Sequence, residues 1–124
     1  MKDLTKFYIN GQWVSPLVAN DLAVENPATE ETIATISLGA AADVDAAVAA
    51  AKAAFPSYSQ VSVEERIALM ENLLKIYMDG YDEMSMAIST EMGAPISFAS
   101  AAQADCGRGH INAAIEALKK FEFE

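Results

Sequence analysis

The sequence has few of the residues on which small exported folds, membrane proteins and nucleic-acid binders depend. Only one of its 124 residues is cysteine. Cys106 therefore has no internal disulfide partner and cannot assemble a cysteine-based zinc site, which fits a reducing cytoplasm. No apolar run approaches the ~20 residues needed to cross a bilayer. The opening Met1-Lys2-Asp3-Leu4-Thr5-Lys6 leads straight into an amphipathic strand, not into the apolar segment of an export signal. Basic residues are scarce as well, with 8 Lys and Arg against 18 Asp and Glu and a net charge of −10. Without a basic surface to neutralise phosphates, nucleic acid and anionic membrane are disfavoured as partners. The chain is instead rich in apolar residues, at 52% with 21% charged. That is too apolar for disorder, in a length that accommodates one domain and no second.

Turn chemistry organises the first third. Phe7-Tyr8-Ile9 and Gln12-Trp13-Val14 flank Asn10-Gly11, a pair suited to the two positive φ angles of a type I′ turn, so a β-hairpin is predicted there. Leu22-Ala23-Val24-Glu25 and the alternating Thr32-Ile33-Ala34-Thr35-Ile36-Ser37 flank a turn at Asn26-Pro27-Ala28-Thr29 and predict a second hairpin.

Helical periodicity follows. A first helix is expected from about Ala41 to Phe55, with Val44, Ala47, Val48, Ala51 and Phe55 on one stripe, a poor N-cap at Ala40 and Pro56 as its stop. Ser62-Val63-Glu64-Glu65 is a capping box that opens a second helix through Ile67, Met70, Leu74, Tyr77 and Met78 to Gly80. A third helix is expected from about Tyr81 to Met92, with Met84, Ala87 and Ile88 inward and Gly93 and Pro95 as its stop. A fourth runs from Ser97 to about Lys120. Gly107 and Gly109 fall inside it, which suggests the close approach of another backbone. Phe121-Glu122-Phe123-Glu124 alternates like the opening of a strand. The fold class is thus a mostly α-helical segment of four helices with two small N-terminal β-hairpins. Its broad apolar faces call for a covering body that the segment does not itself contain.

Little of this carries chemistry. Cys106 lies beside Asp105 on the fourth helix and reads as a buried or semi-buried structural residue. His110, four residues on, can share its helix face, yet no oxyanion donors converge on the pair. Gly107-Arg108-Gly109 spells part of a glycine-rich loop but falls within a helix. Met70, Met78, Met84, Met86 and Met92 follow helical spacing and read as core filler.

Phe7-Tyr8-Ile9-Asn10-Gly11-Gln12-Trp13-Val14, Asn26-Pro27-Ala28-Thr29, Ser62-Val63-Glu64-Glu65-Arg66 and Glu91-Met92-Gly93-Ala94-Pro95, in this order, resemble the N-terminal part of the NAD(P)-dependent aldehyde dehydrogenases. Members of that family often carry glycine after the Pro-Ala-Thr run, where Glu30 stands here. If the backbone keeps its positive φ, Glu30 is mildly strained.

The resemblance implies that residues 1–124 are an incomplete N-terminal part of a coenzyme-binding domain. Its divisions would be hairpins over 1–39, helices over 40–120 and the start of a strand at 121–124. The parent would be an α/β enzyme oxidising an aldehyde to a carboxylate with NAD or NADP, and would be a homo-oligomer. The family's nucleophilic cysteine lies far downstream, so no catalytic or cofactor-binding residue and no bound coenzyme are expected in this segment. The partner expected for it is the remainder of the dehydrogenase chain. The resemblance also implies a monovalent cation held by Glu91 with backbone oxygens at Val24 and Glu25. Two other readings stay open: a free-standing acidic interaction module derived from a truncated dehydrogenase gene, and a related reductase acting on acyl phosphates or acyl-CoA.

Overall fold

The structure, a computed structural model, describes residues 2–123, with the backbone alone at Lys2 and Asp3. The chain divides into two compact units, Met1–Gln60 and Val61–Glu124.

The first unit holds all five strands among the described residues: β1 (Lys2–Leu4), β2 (Phe7–Ile9), β3 (Gln12–Val14), β4 (Asp21–Asn26) and β5 (Glu31–Ser37). Strands β2 and β3 pair antiparallel with Tyr8 opposite Trp13, whose rings lie 5.2 Å apart. Asn10 (φ 53°) and Gly11 (φ 75°) supply the two positive φ angles that the hairpin turn requires. Strands β4 and β5 form the second hairpin. Its turn is closed by Glu30 N–H donating to the Asn26 carbonyl at 2.8 Å and by Ala28 N–H donating to Asn26 Oδ1 at 2.9 Å. Glu30 has φ 58°, the left-handed conformation that its place after the Pro-Ala-Thr run implied.

The sequence reading did not contain β1. It lies parallel to β5, pairing Leu4 with Ile36, so β5 is the centre of a three-stranded sheet in the order β1-β5-β4. Three residues are too few for alternation to announce a strand. Ala34 and Ser37 of β5 are buried, and Ser37 Oγ donates to Asp21 Oδ1 across the hairpin at 2.9 Å.

Helix α1 (Ala41–Tyr58) completes this unit. It continues past Pro56, which was expected to end it. Proline deletes only its own N–H, so one bond to the Lys52 carbonyl is lost while Ser59 N–H still reaches the Phe55 carbonyl at 2.8 Å. The helix's apolar stripe is exposed along its length, from Val44 (58%) to Phe55 (66%), as the need of these helix faces for a covering body suggested.

The second unit is helical: α2 (Val63–Asp79), α3 (Tyr81–Met92), α4 (Ile96–Phe98), a π-helical stretch (Ala99–Ala104) and α5 (Asp105–Lys120). From α4 onward these form one continuous run, giving four helical rods among the described residues. The capping box of α2 is present. Glu65 N–H donates to Ser62 Oγ at 3.1 Å and Ser62 N–H donates to Glu65 Oε2 at 3.0 Å. Helix α3 ends where Gly93 takes φ 72°, its N–H donating to the Ser89 carbonyl. Pro95 then caps the next run, its carbonyl accepting from both Phe98 N–H and Ala99 N–H at 2.9 Å.

The interior is small. Ser85, Ala99, Ala104 and Ile115 are its buried members, and α2 packs on α5 while α3 packs on the π-helical stretch. The inward face of α3 is accordingly set by Ser85 and Ile88. Met84 and Ala87 face solvent. Met78, Met84, Met86 and Met92 are exposed, correcting their assignment as core filler, while Met70 is half-buried.

Candidate functional site

Two polar arrangements fix the backbone, one in each unit. Ala40 has no side-chain acceptor for the amides that open α1. Asp43, one turn inside the helix, supplies both acceptors: Oδ2 takes the Ala40 N–H and Oδ1 takes the Leu17 N–H from the β3–β4 connection, each at 2.9 Å. The carboxylate is 6% exposed. The Leu17 and Ala40 hydrogen bonds hold it below the ordinary aspartate range, against the opposing effect of burial. A poorly capped helix start is thereby made good from within and pinned to a loop 26 positions earlier in the chain.

In the second unit the π-helical stretch is held by two tyrosines. Tyr77 of α2 donates its hydroxyl to the Ala104 carbonyl at 2.7 Å, and Tyr81 of α3 donates to the Ser100 carbonyl at 2.5 Å. The two rings meet edge to face at 6.2 Å. A π-helical turn displaces carbonyls from the regular ladder, and these hydroxyls satisfy two carbonyls at its ends. Gly107 makes the arrangement possible, since a Cβ there would lie 2.5 Å from the Tyr77 hydroxyl oxygen and 2.6 Å from its Cζ. The close approach expected at this glycine is therefore made by a side chain. Gly109 has nothing within 4 Å of the corresponding point. Burial, then the nearby Asp105 carboxylate, pushes the Tyr81 phenol up. The bidentate hydrogen bond from Arg108, at 2.6 and 3.0 Å, draws the Asp105 carboxyl down. In the same π-helical stretch, Gln103 Oε1 is buried without a hydrogen-bond partner.

Cys106 and His110 lie exposed on α5, which corrects the expectation of a buried or semi-buried thiol. Gly107, Arg108 and Gly109 lie inside α5, so they cannot form the strand-to-helix turn that cradles a dinucleotide phosphate. Glu91 stands exposed in the last turn of α3. In the other unit, Val24 (half-buried) and Glu25 (exposed) lie on β4 where its register against β5 shifts, Val24 pairing with Ala34 and Glu25 with Thr32. Among the described residues no group of three or more His, Cys, Asp or Glu side chains is placed to hold a metal ion. No helix there is long and apolar enough to cross a membrane.

The surface carries a further signal. The chain exposes 9031 Å², whereas two compact bodies of half its mass each would expose about 7,700 Å² together. The excess of about 1,300 Å² is of the order of a standard protein interface. Large apolar side chains are part of the exposed surface. Leu69, Leu73 and Ile76, spaced along one face of α2, are exposed, as are Phe98 and Met92.

Comparison with known proteins gives this surface its context. Residues 13–124 match the sequence model of the aldehyde dehydrogenase family. A 3-succinoylsemialdehyde-pyridine dehydrogenase from Pseudomonas is 42% identical over the whole chain. An aldehyde dehydrogenase structure from Bartonella henselae superposes with a TM-score of 0.97 at 46% identity, covering 99% of this chain. A variant aldehyde dehydrogenase C from Pseudomonas syringae, in complex with NAD+ and octanal, superposes at 0.93 with 44% identity over 96% of this chain. The chain spans about a quarter of the length of each: 26%, 26% and 24% respectively. With its hairpins, its helices and nearly all of its length matched, the chain belongs to the aldehyde dehydrogenase family.

Proposed function

We propose that the chain serves as the N-terminal part of an NAD(P)-dependent aldehyde dehydrogenase, and that these 124 residues neither hold the coenzyme nor oxidise aldehydes alone. The observation that carries the reading is the match along nearly the whole chain to relatives about four times as long. Solved neighbours bear NAD+, one of them together with an aldehyde. Its role is architectural. Residues 1–39 and 40–120 present strands and helices to the rest of the enzyme, the exposed α2 face of Leu69, Leu73 and Ile76 docks there, and Phe121 and Phe123 open a strand completed by the remainder. The orphaned Gln103 Oε1 meets a donor from the same source. The parent acts in the cytoplasm as a homo-oligomer.

The surface excess weighs against a free-standing module, and the names of the relatives weigh against an acyl phosphate or acyl-CoA reductase. The test is aldehyde-dependent NADH formation. The isolated chain is expected to give none at any enzyme concentration, and measurable turnover by it would overturn the reading.

Within the same parent, Glu91 and the main-chain oxygens at Val24 and Glu25 are proposed as ligands of a monovalent cation. They are oxygen donors, as a hard cation requires. The register shift in β4 loosens the ladder at the two strand residues. Potassium should raise the melting temperature of the parent enzyme and fail to do so in its Glu91→Gln variant. An equal rise in both would remove Glu91 from the ligand set.

A further inference from the structure

We propose that Cys106 and His110 of α5 form a two-ligand site for a divalent cation of the zinc class. The inference goes beyond the enzymatic reading and stands without it. The two are the only cysteine and the only histidine among the 124 residues, and they stand four positions apart within one α-helix. Residues so spaced are neighbours on a helix face, with Cβ atoms about 5–6 Å apart. Bonds of about 2.3 Å from zinc to sulfur and about 2.0 Å from zinc to nitrogen close that gap. The same spacing places two of the zinc ligands on the helix of a metalloprotease site.

Both side chains are exposed, the thiol is free, and neither enters a hydrogen bond or ion pair among the described residues. Arg108 lies two positions from each, and its guanidinium is engaged with both oxygens of Asp105. That pairing leaves neither a free cation to repel the ion nor a free carboxylate beside Cys106 to draw it away. The donors select the class of ion. A single thiol excludes a multi-cysteine centre, but one soft sulfur with one imidazole nitrogen suits zinc, whereas magnesium, calcium and alkali cations prefer oxygen. On binding, the thiol proton passes to solvent and the imidazole offers an unprotonated nitrogen. Ala113 and Ala114, next along this face, carry no side-chain donor, and Gly109 leaves open space beside His110. Water therefore completes the shell. With two protein ligands where a structural site has four, the dissociation constant is on the order of 10 µM.

The experiment is calorimetric titration of the untagged, reduced 124-residue chain and three variants with zinc chloride, with far-ultraviolet circular dichroism to check folding. The native chain should bind one zinc per chain, and cobalt(II) in its place should give the near-ultraviolet charge-transfer band of a metal–thiolate bond. Cys106→Ser and His110→Ala should each weaken zinc binding by at least about tenfold, the least that losing even an outer-shell partner costs at a metal site. The third variant joins His110→Ala to Asn112→His. It keeps one cysteine and one histidine but sets them six positions apart, on different faces of the helix, and should bind no more tightly than His110→Ala alone. A native chain that takes up no zinc at about 1 mM would overturn the proposal, as would a His110→Ala variant that binds as tightly as native, native affinity in the respaced variant, or one zinc shared between two chains.

Discussion

The strand-bearing unit and the helical unit fasten their parts differently. In residues 1–60 the helix carries an apolar stripe that it does not bury, and its start is held by a single carboxylate accepting two main-chain amides. In residues 61–124 the helices interlock: a tyrosine ring sits over a glycine, two hydroxyls satisfy carbonyls of a π-helical stretch, and Ser85, with 2% exposure, is closed off from solvent. One unit depends on a polar staple and the other on shape. A given type of substitution should therefore act by different physics in the two halves, and the contrast can be tested from its strongest point to its weakest.

The largest effect belongs to the staple. Asp43→Ala removes both acceptors and leaves the Leu17 and Ala40 amides without partners, while Asp43→Asn leaves one carbonyl oxygen for two donors. Hydrogen-exchange protection of these two amides should vanish in the alanine variant and survive at only one of them in the asparagine variant. Protection in the helical unit should not move.

Acid should mimic the loss. The hydrogen bonds from Leu17 and Ala40 depress the folded pKa of Asp43. Its contribution is therefore complete above the unfolded value of about 3.9 and is lost as pH falls through the lower folded value. Native Leu17 exchange should accelerate across that window. Ser62 similarly depresses Glu65, so acid loosens the start of α2 as well, and only the strand-bearing share should disappear in Asp43→Asn.

Next come the two glycines of α5. Gly107→Ala sets a Cβ against Tyr77, which cannot yield without loosening its bond to Ala104, and should cost about 1–3 kcal/mol in urea unfolding of the helical unit. Gly109→Ala meets open space and should instead stabilise by about 0.5–1 kcal/mol. Equal effects would show that the Tyr77 contact does not govern this helix. Smaller again is Tyr77→Phe, which deletes a partly buried hydroxyl bond and should cost about 0.5–1.5 kcal/mol. Ser62→Ala removes one half of the capping box, a loss of about 1 kcal/mol by the same measurement.

The same division governs how much was legible in the sequence. Local chemistry could be read directly: Asn10-Gly11 as a turn, Ser62 with Glu65 as a cap and Gly93 as a stop all depend on neighbours within a few residues, while the positive φ at Glu30 was suggested only by the family resemblance. Features that rest on distant contacts could not. The parallel seat of β1 on β5, the reach of Asp43 to Leu17 and the π-helical stretch under Tyr77 and Tyr81 join parts of the chain that no periodicity links. Burial failed as a reading of pattern alone. The stripe of α1 and Met78, Met84, Met86 and Met92 have the right spacing for a core, but in this chain they meet solvent. An apolar face records what a helix is suited to touch, and spacing alone does not say whether this segment supplies it.

The central claim is that these residues form one working part of an aldehyde dehydrogenase. It is tested most directly by transplanting them in place of the matching quarter of the Bartonella henselae relative, to which they are 46% identical, and measuring aldehyde-dependent NADH formation. The account predicts that the chimera oxidises aldehyde while the isolated 124 residues do not. A chimera that folds and binds NAD+ yet leaves aldehyde unoxidised, or an isolated chain that turns it over unaided, would contradict it.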